Sequence, residues 1–212
     1  MSDVLYVNHM SEETLDEYYF EDEDNRATIG KKFADFELDA FHQNRIKKVK
    51  LSDFKDKWIV LFFYPADFTF VCPTELEELA ENYEKFKKLG VEVLSVSTDT
   101  AFVHKAWHDN SPAIGKVSYP MLADPTGSLA KYCGVYIPEE GLALRGTFII
   151  DSEMKLKAYE VNDNSIGRSA EELLRKVEAA QYVSKHKNEV CPASWRPGAK
   201  TLKPGVDLVG KI

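Results

Sequence analysis

The chain of 212 residues has no apolar run approaching the roughly 18 residues of a membrane span. Its first residues hold no basic stretch followed by an apolar one, so no secretory signal is expected. No basic stripe occurs, which removes the usual electrostatic footprint of a nucleic-acid binder. Cysteine is scarce. Cys72, Cys133 and Cys191 are an odd count at wide spacings, a poor basis for a disulfide framework. There is no C-x-x-C, and the close Cys/His spacing of structural zinc is missing. These absences point to a cytoplasmic protein whose thiols stay reduced except during chemistry, with no membrane or nucleic-acid partner.

What is present suffices for one domain with a substantial core, since 44% of the residues are hydrophobic. The net charge of −8 is unevenly placed. Residues 1–25 contain Asp3, Glu12, Glu13, Asp16, Glu17, Glu21, Asp22, Glu23 and Asp24 and no Lys or Arg, so the rest of the chain is nearly balanced. Residues 1–26 are read as an acidic N-terminal extension, loosely docked, with Tyr6, Tyr18, Tyr19 and Phe20 as its few aromatics.

The chain is organised around residues 58–90. Trp58 to Tyr64 is a continuous apolar and aromatic run, as in a strand buried on both faces, and Pro65 ends it. Leu76, Leu79, Ala80, Tyr83 and Phe86 recur at helical spacing. Pro73 suits the first helical position, acids crowd the first turns, lysines the last, and Gly90 stops the helix. Cys72 lies where the loop meets this helix. Unpaired N–H groups and the positive dipole end favour thiolate over thiol at such a place. A buried, inert cysteine would also fit the position taken alone.

The remaining elements follow in order. Residues 29–51 read as a β-hairpin laid beside the core, and Asp53 to Lys57 as a turn. Val91–Ser97 is a second buried strand, Ala101–His108 a helix, and Tyr119–Ala123 a short strand. D-P-T-G at 124–127 turns into a helix through Cys133. Arg145–Ile150 and Lys155–Val161 are strands. Ser169 opens a long helix through Lys185 with a capping-box pattern, S-A-E-E, its inner side traced by Leu173, Leu174, Val177, Ala180, Gln181 and Val183. From Glu189 onward three prolines and three glycines argue for a movable C-terminal tail. Alternating strands and helices predict an α/β protein, a central mixed sheet with helices on both faces. The order matches a thioredoxin-like fold with an extended tail. The domain would run over 27–188 and the tail over 189–212.

The stretch F-F-Y-P-A-D-F-T-F-V-C-P-T-E, with its P-x-x-x-T-x-x-C spacing, resembles the peroxiredoxins. The resemblance implies that Cys72 is the peroxidatic nucleophile. It implies that the Thr69 hydroxyl bonds the thiolate and the incoming peroxide, and that Pro65 shields the sulfur. The tail's E-V-C-P-A-S-W-R-P-G resembles the resolving-cysteine motif of the typical 2-Cys peroxiredoxins. It implies that Cys191 attacks the oxidised Cys72 of a second subunit. D-L-V-G-K-I and the S-T-D-T-A-F-V-H-K-A-W-H segment look most like the bacterial branch of alkyl hydroperoxide reductase C components. The likeness covers about residue 27 to the C-terminus. Thioredoxins place a second cysteine where this chain has Glu75.

Breaking an O–O bond needs a thiolate in line and donors for the charge developing on both oxygens. A guanidinium supplies such donors and stays charged. By resemblance Arg145, in L-R-G-T-F-I-I-D, is the catalytic arginine and Arg168, in I-G-R-S-A, supports it, with Glu75 orienting one or both. The proposed cycle runs from sulfenic acid to intersubunit disulfide to reduction by a dithiol. The sulfurs can meet only if the helical turn around Cys72 unwinds. The reductant is left open between a flavoprotein disulfide reductase and a thioredoxin. No cofactor or metal is expected: His104 and His108 have ligand spacing but no third ligand in view. The family implies a homodimer, with a ring of five dimers in which Phe102, Val103 and Trp107 lie near the dimer–dimer contact. Cys133 is expected to be a buried small residue. The rivals are a ring-forming holdase and a general thiol–disulfide oxidoreductase.

Overall fold

The structure, a computed structural model, describes residues 26–212. The acidic extension and its aromatics lie outside the described residues, Arg26 excepted.

The chain runs β1 (Glu37–His42), β2 (Arg45–Lys50), β3 (Trp58–Phe63), α1 (Cys72–Lys88), β4 (Val91–Ser97), α2 (Ala101–Asn110), β5 (Met121–Ala123) and α3 (Ser128–Tyr132). There follow β6 (Tyr136–Ile137), β7 (Leu142–Ala143), β8 (Arg145–Ile150), β9 (Leu156–Asn162) and α4 (Ala170–Lys185). Seven strands form one sheet in the order β2-β1-β5-β4-β3-β8-β9, and β6 pairs with β7 apart from it. The pairs β3–β4 and β4–β5 are parallel; all others are antiparallel. The hairpin read over 29–51 is therefore not laid beside the core. It extends the central sheet, with Ala40 paired to Leu122.

Alternation along β3 builds the two layers. Val60, Phe62 and Tyr64 join one buried cluster with Leu76, Leu79 and Phe86 of α1 and Leu173 and Val177 of α4. Ile59, Leu61 and Phe63 join the other, with Leu129 and Ala130 of α3. A strand buried on both faces must be apolar throughout, which is what the 58–64 run requires. Each fully buried aliphatic or Phe side chain on the α1 stripe contributes about 1.5–3 kcal/mol, enough to hold the helix down along its length.

Several elements differ in detail from the sequence expectation. Pro73 is the second residue of α1, because Cys72 itself is already helical. The capping box at Ser169 is half made: its Oγ accepts from Glu172 N at 3.4 Å, but the Glu172 carboxylate pairs with Arg175. The inner side of α4 is buried only through Val177; Ala180, Gln181 and Val183 are half-buried. The β6–β7 hairpin was not legible, its strands being two residues each.

The tail carries no regular element beyond a single bridge, Val190 to Leu202, and a short 3-10 turn at Val206–Leu208. It is nevertheless seated. Trp195 is buried against Tyr182, their rings 4.8 Å apart, and Arg175 Nη1 donates to its carbonyl at 3.0 Å. Composition signalled the irregular backbone but not the aromatic anchor.

Candidate active site

β3 ends beneath a loop, residues 64–71, that delivers the chain to the start of α1. Pro65 is buried in it. Phe68 has φ of 55°, a left-handed conformation uncommon for a non-glycine residue. Tyr64, Asp67 and His104 hold the loop from below. The Tyr64 hydroxyl donates to Asp67 Oδ1 at 2.7 Å, His104 Nδ1 meets Asp67 Oδ2 at 2.8 Å, and His104 Nε2 lies 3.1 Å from the Leu122 carbonyl. Burial raises the Asp67 carboxyl pKa above its usual range, and the His104 bond opposes the shift. Both imidazole nitrogens of His104 are thus engaged internally, which accounts for a histidine at ligand spacing without a metal role. His108 Nε2 faces the Val117 carbonyl at 3.3 Å.

Cys72 is fully buried at the first position of α1. Its sulfur has a guanidinium neighbour: Arg145 Nη1 lies 3.3 Å from Sγ. Arg145 opens β8, three residues before Phe148, which pairs with Leu61 of β3. Its geometry is fixed on two sides. Nη1 also donates to Glu75 Oε2 at 2.7 Å, while Nε and Nη2 both donate to the Asn164 carbonyl, at 2.9 and 2.8 Å.

Glu75, one helical turn after Cys72, is buried and lies between two arginines. Its Oε1 accepts from Arg168 Nε at 2.9 Å and from the Arg168 backbone N–H at 2.8 Å, and its Oε2 accepts from Arg168 Nη2 at 3.1 Å. Arg168 Nη1 also donates to the Gly146 carbonyl and to Thr147 Oγ1. Its guanidinium carbon sits 3.4 Å from the Phe62 ring centre. Burial lowers the Arg168 pKa, and the Glu75 bond works against that shift. Two cations and one carboxylate leave a surplus positive charge in a buried site, directed at the sulfur through Arg145.

The structure brings Cys72, Arg145, Glu75 and Arg168 into one cluster. Two readings change. The Thr69 hydroxyl donates to the Ala66 carbonyl at 2.9 Å rather than to the sulfur. With its hydrogen committed there, it can offer only lone pairs to a neighbour. Trp107, expected near the dimer–dimer contact, presents almost no surface of its own: it is 3% exposed, with Tyr64 and Phe68 beside it. An indole on the inner stripe of α2 is drawn into the core by its apolar area. Val103 is half-buried, and Phe102, on the outer side, is 74% exposed. Phe68 and Phe70 are also exposed.

Cys191 is apart from the cluster. Its Sγ lies half-buried over α4, 3.9 Å from the Ala179 carbonyl. Burial and the nearby Glu189 charge raise its thiol pKa, and Arg175 lowers it. Cys133 is buried, its thiol pKa pushed up by desolvation. Sequence reasoning missed the Asn164 carbonyl, for a backbone acceptor leaves no side-chain signature. It also missed the Asp67–His104 pair, which only the separation of two elements in sequence conceals. Among the described residues no group of three His, Cys, Asp or Glu side chains could hold a metal ion, and no helix is long and apolar enough to cross a membrane.

Comparison with known proteins bears on this cluster. Residues 29–159 match the AhpC/TSA family, and residues 179–211 match the C-terminal domain of 1-Cys peroxiredoxin. Alkyl hydroperoxide reductase C of Pseudomonas aeruginosa is 53% identical over 84% of this chain and 95% of its own length. The Staphylococcus aureus protein of the same name is 54% identical over 87% of this chain and 98% of its own. Among solved structures, Enterococcus faecalis AhpC superposes with a TM-score of 0.75 at 51% identity, covering 77% of this chain and 98% of that one. A reduced Plasmodium vivax 2-Cys peroxiredoxin superposes with a TM-score of 0.81 at 35% identity, over 84% and 94%. With the thioredoxin-like sheet, the cysteine at the helix start and these relatives in agreement, the chain belongs to the AhpC/TSA family, as a peroxiredoxin of the alkyl hydroperoxide reductase C type.

Proposed function

We propose that the protein is a thiol-dependent peroxidase that reduces hydrogen peroxide and organic hydroperoxides through Cys72. The observation that carries the reading is the Arg145 guanidinium, 3.3 Å from the Cys72 sulfur and locked by Glu75 and the Asn164 carbonyl. Donors already aimed where charge develops need no reorganisation during reaction. Cys72 thiolate attacks the nearer peroxide oxygen, the O–O bond breaks, and the leaving oxygen takes up a proton, balancing the one lost when the thiol ionised, and departs as water or alcohol. A sulfenic acid remains on Cys72. Arg145 stabilises the charge on the separating oxygens. Thr69, whose hydroxyl already donates to Ala66, accepts the hydrogen bond of the peroxide O–H. Pro65 shields the sulfur from water. Glu75 orients both arginines, and Arg168 braces Glu75.

Cys191 of a second subunit then condenses with the sulfenic acid, releasing water and forming an intersubunit Cys72–Cys191 disulfide. The first turn of α1 unwinds for this step, because a fully buried sulfur cannot reach a tail thiol. A dithiol, from a flavoprotein disulfide reductase or a thioredoxin, restores both thiols by exchange. The working unit is a homodimer. Five dimers close a ring through the α2 side, where Phe102 is exposed and Val103 half-buried; Trp107 supports that surface from within. The peroxidase domain spans 27–188, the resolving tail 189–212, and the protein acts in the cytoplasm. The relatives are named for peroxide reduction and lend nothing to a holdase role. Glu75 at the would-be second cysteine position opposes general disulfide exchange.

A non-reducing gel after about one equivalent of hydrogen peroxide, a single turnover by the chemistry above, tests the cycle. The native chain is expected to form a covalent dimer that Cys72→Ser and Cys191→Ser both abolish, while Cys191→Ser still consumes its equivalent. Peroxide consumption without a dimer would remove the intersubunit step. No consumption at all would remove the enzyme reading.

A further inference from the structure

The connection from β9 to α4, residues 163–169, touches the site at two points. At one end the Asn164 carbonyl takes two N–H donors of Arg145. At the other the Arg168 backbone N–H donates to Glu75. Between them Gly167 lies against the start of α1, where an added Cβ would stand 3.4 Å from Val71 Cγ1. A carbonyl in an exposed connection can hold a buried guanidinium only if the local backbone is itself held.

Asp163 holds it. Its Oδ1 accepts from Ser165 N at 2.8 Å and from the Ser165 hydroxyl, and its carbonyl accepts from Ile166 N at 3.0 Å. This is the Asx-type turn for which Asp and Asn are selected. It reverses the chain so that the carbonyl of the residue between, Asn164, is presented inward.

We propose that Asp163 is a positioning residue for the peroxidatic cysteine, acting through the Asn164 carbonyl on Arg145 and so on the donor facing Cys72 Sγ. Asp163 touches neither the sulfur nor any atom that reacts. Without the turn, Asn164 swings and two buried donors of Arg145 lose their acceptor. The guanidinium then turns toward whatever acceptor remains, and Nη1 leaves the sulfur. A rival route exists, since the Asp163 carboxylate also lies within electrostatic reach of Arg145. Its pKa is lowered first by the Ser165 hydroxyl, then by the Ser165 N–H, with Arg145 contributing least. The turn needs only an oxygen acceptor; the rival needs the charge. Asparagine keeps the first and removes the second.

The inference rests on the peroxidase reading, so the experiment has two readouts. The first is the single-turnover rate of Cys72 oxidation by hydrogen peroxide, measured in the Cys191→Ser background so that reaction stops at the sulfenic acid. The second is the crystal structure of each reduced variant, which reports the Arg145–Cys72 contact whatever the activity. Asp163→Ala is expected to slow oxidation about fivefold, the equivalent of one hydrogen bond, and to show Arg145 Nη1 withdrawn from the sulfur. Asp163→Asn is expected to stay within about twofold of the parent, a difference smaller than one hydrogen bond, with the contact kept. Should Asp163→Ala not fold, Ser165→Ala, which removes one of the two donors to the Asp163 carboxylate, carries the test with a smaller slowing. Parental rate and contact in Asp163→Ala, or in Ser165→Ala where it stands in, would overturn the proposal. Equal slowing by Ala and Asn would overturn it in favour of charge. A parent that consumes no peroxide would sink the peroxidase reading, while the crystal structures would still decide the positioning.

Discussion

The two cysteines that the proposed cycle joins sit in opposite kinds of surroundings. Cys72 is fully buried, at the start of a helix, beside a three-residue ionic cluster whose members are themselves buried. Cys191 is half-buried on a tail that has one internal backbone bridge and that one buried indole and a few polar contacts hold to α4. The contrast teaches a division of labour. The attacking sulfur gains from fixed donors, because catalysis by electrostatic preorganisation requires that nothing move at the moment of reaction. The resolving sulfur must travel, and segments that move are drawn from regions of low local stability.

The sharpest way to break the comparison is to remove the carboxylate at its centre. Glu75→Gln leaves two buried guanidinium groups without their counter-charge and is expected to cost about 3–5 kcal/mol in urea unfolding. A loss under about 1 kcal/mol, the range of an exposed pair, would mean that the cluster does not fix the site. Next is Arg145→Met. It should slow single-turnover oxidation of Cys72 by about 10²–10³, as loss of a preorganised donor does elsewhere, and an unchanged rate in stopped flow would remove Arg145 from the mechanism.

At the other pole, Trp195→Ala should open the tail alone. Trypsin is expected to cut after Lys200 about tenfold faster, reflecting local opening, while the thermal midpoint of the domain holds. Melting of the core together with the tail would show that the two regions are not separable. The smallest effect is one of pH. Burial and Glu189 hold the Cys191 thiol pKa above its usual range, so its thiolate is scarce at neutrality and disulfide closure should accelerate as pH rises. Glu189→Gln removes a raising influence and should speed closure at pH 7 by about two- to threefold, within the range of exposed charge effects. Slower closure would show that the bonds of Glu189 to Tyr182 and Thr201 matter more than its charge.

Much of this was readable in advance. β3 and α1 were legible because one is a continuous apolar run ended by Pro65 and the other a clean helical stripe ended by Gly90, and β4 and β8 because each is short and rich in β-formers. Arg145 and Arg168 were legible only through the resemblance: nothing in a lone arginine at a strand start says whether it faces water or a sulfur. The hydrogen bond of the Thr69 hydroxyl to the Ala66 carbonyl was not legible, because a backbone acceptor leaves no mark in the sequence. Trp107 was expected near the dimer–dimer contact through the resemblance, and its burial could not be read from the sequence. Its place beside Tyr64 and Phe68 depends on strands distant in sequence.

The sequence by itself determined the local matters: where the longer strands and helices lie, that Cys72 opens a helix, that the charge lies in the extension, and that no second cysteine stands one turn away. These depend on periodicity, dihedral preference and spacing along the chain, which a linear string carries in full. Only the tertiary structure decided which way the charges face. Glu75, Arg145 and Arg168 come from three separate elements, and the Asn164 carbonyl from the same β9–α4 connection as Arg168. Their meeting rests on the crossing of α1 over β3 and β8, a matter of packing. Hydrogen bonds depend on distances of tenths of an ångström, and those distances exist only once the layers have closed.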